Sequence, residues 1–188
     1  MKGEILKLLY IYSLNKIIFD KTAIEILYNI FINNNYDIEK YFKKIIITNE
    51  DDIVALYSQE KNSIIININK IIKEFTEGIK VFKLDEIQGY FFLNIQLLVC
   101  LFHELEHIKQ RNIAQENTIF GKFIYYGITL NKKNSSDEHD LKERIKIYNA
   151  TYYYNPCERD AYITSSKTVK QLVALSNIID KNIITNLN

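Results

Sequence analysis

The first part of the chain repeats apolar positions at the spacing of an amphipathic helix. Residues 4–19 have this pattern, which predicts a first helix. A second helix is expected to begin at Thr22, because Thr22 and Glu25 have the spacing of a capping box in which each side chain satisfies a free backbone amide. Three consecutive asparagines should end it. Residues 1–43 are therefore predicted to be helical.

The pattern changes at Lys44, where short runs rich in isoleucine and valine alternate with polar clusters. Runs of this length bounded by polar residues are typical of strands. They predict a small sheet within residues 44–68, with strands at 45–48, 53–58 and 63–68. We expect these consecutive strands to pair in an antiparallel manner.

Helical spacing returns from about Asn69 and leads into a long apolar run, which predicts a helix over residues 91–111. A last helix is predicted over residues 156–178, because Asn155 suits the N-cap and Pro156 suits the first helical position. A chain of 188 residues is long enough for one domain and short for two. We therefore expect residues 1–188 to form a single α+β domain.

Composition narrows the classes of partner. The formal net charge is +1, from 24 Lys and Arg against 23 Asp and Glu, so the basic excess typical of nucleic-acid binders is missing and no nucleic-acid partner is expected. The two cysteines, Cys100 and Cys157, are too few for a disulfide scaffold and favour a cytoplasmic location. Neither a signal-peptide cleavage pattern nor an uninterrupted apolar run of membrane length is recognised, so no membrane association is expected.

The stretch FHELEH at residues 102–107 carries the clearest chemical signal. On a helix, His103 and His107 lie about 40° apart and roughly 5.4 Å along the axis, so both imidazoles can reach one ion. Zn²⁺ is the expected cofactor, because it readily takes imidazole and a catalytic zinc typically has three protein ligands and one water.

The same six residues fit both H-E-x-x-H and H-x-x-E-H, so either glutamate could act as the general base. Glu104 and Glu106 lie about 80° to opposite sides of the midline between the histidines. Apolar residues continue on the Glu104 side of the helix, whereas Lys109 and Gln110 lie on the Glu106 side. A sheltered carboxylate has its pKa raised toward the working pH, so we prefer Glu104 as the catalytic base.

A third metal ligand must come from elsewhere in the chain. The candidates are Glu158, Asp160, His139, Glu138 and Glu143. Glu158 is preferred because it belongs to a predicted helix with a defined start, and rigid elements hold ligands more reliably than loops. The alternative for Glu158 is a capping role, since it is the third residue of that helix.

His103, Glu104 and His107, followed by Glu158 in the sequence NPCERDA, resemble the zincin metallopeptidases with a glutamate ligand, and more narrowly the ImmA/IrrE-like members. The resemblance implies a zincin-like minimal metallopeptidase domain. Such a domain has N-terminal helices, a small antiparallel-containing sheet, an active-site helix and a C-terminal helix. It also implies His103, His107 and Glu158 as zinc ligands.

Together these observations predict a zinc-dependent metalloendopeptidase of the HExxH type. It would hydrolyse a peptide bond of a protein or peptide substrate through a zinc-bound water activated by Glu104. The run Ser63–Ile68 is either a strand edge to which a peptide substrate adds or an ordinary buried strand.

A different class of function stays open. Cys100, His103 and His107 share a helix face, and Cys157 directly precedes Glu158, so these four side chains could form a closed structural zinc site. Such a site leaves no position for a reactive water. The chain would then be a non-catalytic interaction or regulatory domain, as it would be if it bound no metal at all.

Overall fold

The computed structural model describes residues 1–115 and 155–186. These residues form an α+β structure of five α-helices, one short 3-10 helix and a three-stranded mixed sheet. In chain order the elements are α1 (Lys2–Leu14), α2 (Lys21–Asn33), a 3-10 helix (Tyr36–Tyr41), β1 (Lys44–Ile47), β2 (Ala55–Ser58), β3 (Ser63–Ile66), α3 (Ile68–Val81), α4 (Glu86–Ala114) and α5 (Pro156–Asn186).

The N-terminal helices differ from the predicted boundaries. α1 ends at Leu14 rather than at residue 19, because Asn94 of α4 holds the chain between the helices in a non-helical path. The Asn94 side chain accepts a hydrogen bond from Phe19 N at 2.8 Å and donates one to Ile17 O at 3.0 Å. This clamp turns Phe19 into the core, where it is 1% exposed.

The predicted capping box at the start of α2 is wrong. Asp20, not Thr22, is the N-cap, and its carboxylate accepts a hydrogen bond from Ala23 N at 2.9 Å. A carboxylate at this position also interacts favourably with the positive end of the helix dipole. The helix therefore begins at Lys21, one residue before the predicted start.

The sheet is mixed rather than wholly antiparallel. Its strand order is β1-β3-β2, in which β2 pairs antiparallel with β3 and β1 pairs parallel with β3. The predicted antiparallel pairing is thus right for β2 with β3 and wrong for β1. Because β3 is the central strand with all four residues buried, it offers no edge for a peptide, and the buried-strand interpretation of residues 63–66 holds.

α4 is the central helix and is longer than the predicted 91–111. It begins at Glu86 with a capping box between Asp85 and Gln88, and it contacts α1, α3, α5, β2 and β3. An 18-residue window of α4 has a mean hydropathy of 1.3, enough to cross a bilayer by length and composition. However, 56% of that window is buried inside the structure, as is usual for a core helix.

α5 starts at Pro156, as the Asn155-Pro156 pattern predicts, and continues beyond the predicted end at residue 178. Asn155 Oδ1 accepts a hydrogen bond from Cys157 N at 2.8 Å, and Asn155 O accepts the first helical hydrogen bond from Arg159 N at 3.0 Å. Cys157, Ala161 and Leu172 of α5 are buried. Packing of α5 on α4 places the first turn of α5 beside the FHELEH segment.

Candidate metal centre

His103 and His107 come together on one face of α4. Their Nε2 atoms are 3.1 Å apart, and the two rings are nearly perpendicular, with centroids separated by 4.7 Å. Both side chains are mostly buried, with 14% and 18% exposure. Two protonated Nε2 atoms would repel each other at this distance, so at most one of them carries a proton, and the two atoms are close enough to contact one cation.

The first turn of α5 adds a carboxylate to this pair. Glu158 Oε2 lies 3.3 Å from His103 Nε2 and 3.2 Å from His107 Nε2, and the Glu158 side chain is 11% exposed. The three atoms thus form a nearly equilateral triangle. Metal–ligand bonds of 2.0–2.1 Å in tetrahedral geometry place ligand atoms about 3.3 Å apart, so two imidazoles and a carboxylate at these spacings fit three ligands of a zinc ion.

His103, His107 and Glu158 are the group of potential metal ligands found among residues 1–115 and 155–186. Asp160, another candidate ligand, instead accepts a hydrogen bond from the Gln110 side chain at 3.2 Å. The remaining candidates, His139, Glu138 and Glu143, lie outside the described residues.

The thiols do not belong to this group. Cys157 is buried at 2% exposure, Cys100 is partly buried, and neither forms a disulfide bond. Burial raises the pKa of Cys157 to about 11 and that of Cys100 to about 12, so both side chains are protonated at neutral pH. The described geometry thus groups the histidines with Glu158 rather than with the cysteines of the alternative closed site.

Charges within the group support one another. Burial alone would lower the pKa of His107, but the hydrogen bond that His107 donates to Glu158 and the charges of Glu104 and Glu158 outweigh it and raise the pKa to about 9. Conversely, burial would raise the pKa of Glu158, yet its hydrogen bonds to His103 and His107 hold that pKa well below its usual range. Without a metal, a proton shared with His107 therefore balances the Glu158 carboxylate.

Glu104 is buried at 7% exposure and does not point into bulk solvent. Its Oε2 atom accepts a hydrogen bond from the backbone N–H of Tyr57 in β2 at 2.7 Å. Burial raises the pKa of Glu104, and this effect outweighs the lowering by His107, His103 and the Tyr57 amide. The carboxylate thus combines a fixed position beside the histidines with an increased affinity for a proton.

Glu106 has a different environment. Its carboxylate is 3.7 Å from Lys109 Nζ, and its side chain is 14% exposed. Burial raises the pKa of Glu106 too, although Lys109 opposes the increase. Of the two glutamates that the motif leaves open, Glu104 is the more buried and has a backbone donor, whereas Glu106 pairs with the partly exposed Lys109 side chain.

Arg111 fixes the β2–β3 hairpin against α4. Its guanidinium donates to the hydroxyl of Tyr57, to Gln59 O at 3.2 Å and to Asn62 Oδ1 at 2.7 Å. The same group lies over the Tyr41 ring, 4.7 Å from its centroid. These contacts hold β2 beside the helix, so that the Tyr57 amide reaches Glu104.

Gln110 is a contributor that the sequence analysis did not identify as part of the site. It is 1% exposed, and its side chain contacts both His107 and the first turn of α5. The available signal was its spacing: Gln110 is three residues after His107, so the two side chains share a helix face. From the sequence alone, Gln110 is named only as a polar residue on the Glu106 side of the helix.

No protein-family model matches the chain, and neither the curated proteins nor the solved structures include a significant match.

Proposed function

We propose that the chain is a zinc-dependent metallopeptidase of the zincin type. The observation that carries this proposal is the triangle formed by His103 Nε2, His107 Nε2 and Glu158 Oε2, with edges of 3.1–3.3 Å. Two imidazoles and one carboxylate are the ligand set of several catalytic zinc sites, which keep one position for water. Structural zinc sites instead favour four protein ligands, mainly thiolates.

His103, His107 and Glu158 would hold the ion. When bound, zinc would supply the Lewis acidity that polarises a peptide carbonyl and makes a water molecule acidic at neutral pH. The two cysteines are protonated at neutral pH and lie outside the ligand group, so the proposal assigns the attack to water rather than to a thiolate.

Glu104 is the general base in this proposal. It takes a proton from the attacking water and then donates that proton to the departing amine, so one side chain acts first as base and then as acid. Its raised pKa suits both steps, because the carboxylate can hold the proton between them. The Tyr57 amide fixes Oε2 and so limits the orientations that the carboxylate can adopt.

The substrate class follows from the same chemistry. A buried base beside an electrophilic metal is suited to hydrolysis of an unactivated amide, so we assign a protein or peptide substrate. Cys100 and Cys157 form no disulfide bond, which accords with a cytoplasmic enzyme.

The test combines metal analysis with turnover of a quenched-fluorescent peptide library. We expect one zinc per chain in wild type, Glu104→Gln and Glu106→Gln, and library cleavage by wild type and Glu106→Gln but not by Glu104→Gln. Glu106→Gln is the matched control, because it removes a carboxylate from the same helix turn while leaving the buried base intact. Absence of zinc binding by the wild-type chain would refute the proposal, and loss of cleavage only in Glu106→Gln would assign the base to Glu106.

A further inference from the structure

The side chain of Gln110 has an orientation that its partners determine. Its Nε2 group donates to the carbonyl oxygen of Cys157 at 2.9 Å and to Asp160 Oδ2 at 3.2 Å. Both partners are acceptors, so a flipped amide would set oxygen against oxygen. The Gln110 Oε1 atom must therefore be the one that faces His107 Nδ1, at 2.9 Å.

This orientation fixes the tautomer of His107. A carboxamide oxygen can only accept a hydrogen bond, so Nδ1 of His107 must carry a hydrogen. In the neutral ring, Nε2 then holds the lone pair. Nε2 is the atom that lies 3.1 Å from His103 Nε2 and 3.2 Å from Glu158 Oε2.

The other end of Gln110 reaches the third ligand. The Cys157 carbonyl belongs to the residue that directly precedes Glu158, in the first turn of α5. Gln110 thus joins α4 to α5 one residue from Glu158 and at the same time bonds to His107. The Gln110 amide therefore bonds to both of the helices that carry the three proposed ligands.

We propose that Gln110 is the positioning residue of the metal site: it selects Nε2 of His107 as the ligating atom and holds the first turn of α5 where Glu158 completes the ligand set. This inference rests on the proposed zinc site but concerns a residue that does not itself touch the ion. Outer partners of this kind typically change metal affinity by 10–100-fold when they are removed.

α4 provides a matched control in Asn94. Asn94 is a fully buried carboxamide that also joins separate elements, through Phe19 N, Ile17 O and Ser13 Oγ. It is 16 residues before Gln110, about 24 Å away along the helix axis. Asn94→Leu therefore removes the same kind of buried hydrogen-bonding group at a distance from the proposed ligands.

The experiment measures zinc affinity by competition with a chelating dye for wild type, Gln110→Leu and Asn94→Leu. It also measures ¹⁵N–¹¹³Cd coupling in protein labelled at histidine and loaded with ¹¹³Cd²⁺. We expect Gln110→Leu to bind zinc roughly 10–100-fold more weakly than wild type and to lose exclusive coupling through His107 Nε2. Asn94→Leu should retain wild-type affinity within about threefold and the wild-type coupling pattern, because its change lies outside the outer shell of the site.

Gln110→Glu separates the effect of Gln110 on His107 from its effect on the first turn of α5. This variant also tests the inference if Gln110→Leu fails to fold. A carboxylate still accepts from His107 Nδ1, but it cannot donate to the Cys157 carbonyl. We expect Nε2 coupling at His107 to be kept and zinc affinity to fall.

Wild-type affinity in Gln110→Leu, or Nδ1 coupling in Gln110→Glu, would overturn the inference while leaving the zinc site intact. Failure of the wild-type chain to bind either metal would instead refute the proposed function itself.

Discussion

The carboxylate of Glu104 accepts a hydrogen bond from the backbone N–H of Tyr57 at 2.7 Å, although 47 residues separate the two in the chain. The amide of an edge strand thereby holds a side chain of the central helix. β2 is an edge strand, and the Tyr57 N–H donates to Glu104 and not to β3, so the Glu104 carboxylate satisfies an amide at the edge of the sheet. This one hydrogen bond thus gives the proposed base a donor and gives the edge-strand amide an acceptor.

Replacing the Tyr57 amide should change the proton affinity of Glu104. In wild type the Tyr57 N–H stabilises the charged form of the Glu104 carboxylate. Tyr57→Pro removes this N–H, so we expect a higher pKa for Glu104 in the variant than in wild type. Tyr57→Ala is the control, since it removes the same ring but keeps the N–H. The carboxyl carbon of Glu104, followed by NMR through a pH titration, provides the measurement. Equal pKa values in the two variants would show that this hydrogen bond does not tune Glu104.

Glu158→Gln should lose zinc, whereas Asp160→Asn should lose far less. Both variants remove one carboxylate from the first turns of α5, but only Glu158 contacts the two imidazoles. We expect zinc affinity to fall by at least about 100-fold in Glu158→Gln and by about tenfold in Asp160→Asn, because Asp160 bonds to Gln110 rather than to the imidazoles. Competition with a chelating dye measures both constants. A larger loss in Asp160→Asn would point to Asp160 as the third ligand.

The metal-free protein should lose stability as the pH rises from about 6.5 to 9. The pKa of His107 is raised from 6.5 to about 9 in the folded chain, so the folded state binds the proton more tightly than the unfolded state. The contribution of this tighter proton binding to the free energy of unfolding is complete below pH 6.5 and disappears as the pH passes 9. It amounts to up to about 3 kcal/mol. Urea unfolding in the presence of a chelator at pH 6, 7.5 and 9 measures it.

The stabilisation provided by zinc should follow the opposite trend and increase with pH, because the ion requires the neutral imidazole. The increase in unfolding free energy caused by zinc should therefore grow between pH 6 and pH 9. A metal-free stability that stays constant over this range would mean that His107 does not share its proton with Glu158.

Removing both thiols should leave zinc binding unchanged. Cys100 and Cys157 lie outside the group formed by His103, His107 and Glu158. We expect the Cys100→Ala, Cys157→Ala double variant to bind one zinc per chain with an affinity within about threefold of wild type. This change is smaller than the loss of affinity expected when an outer hydrogen-bonding partner of a ligand is removed. Zinc loss in this variant would favour the closed structural site over the peptidase.

The sequence predicts the parts of the site that depend on local geometry. His103 and His107 share a helix face because they are four residues apart, and this holds wherever the helix packs. Asn155 and Pro156 likewise mark the start of α5, because each suits its position in a helix N-terminus for a local reason. Glu158 is harder to place, since the capping-box rule offers it a cap, and its preference as a ligand rests on the rigidity of its helix and on the resemblance to zincins.

The parts that the sequence did not predict depend on distant contacts. Parallel pairing of β1 with β3 cannot be read from alternation within the strands, because the pattern sets which face is buried and not which strand is adjacent. The early end of α1 depends on Asn94, about 80 residues later in the chain. Gln110 was missed because its significance depends on Cys157 and Asp160, which approach it only after α5 has packed on α4.

The ligand triangle joins two stretches of chain that are far apart in sequence. His107 and Glu158 are separated by 51 positions, so an ion held between them would act as a reversible staple closing a long loop. A covalent cross-link of that span removes unfolded-state entropy equivalent to about 4 kcal/mol in the chain-entropy model. The same three atoms proposed for catalysis would therefore make the zinc supply a determinant of how long the folded protein survives.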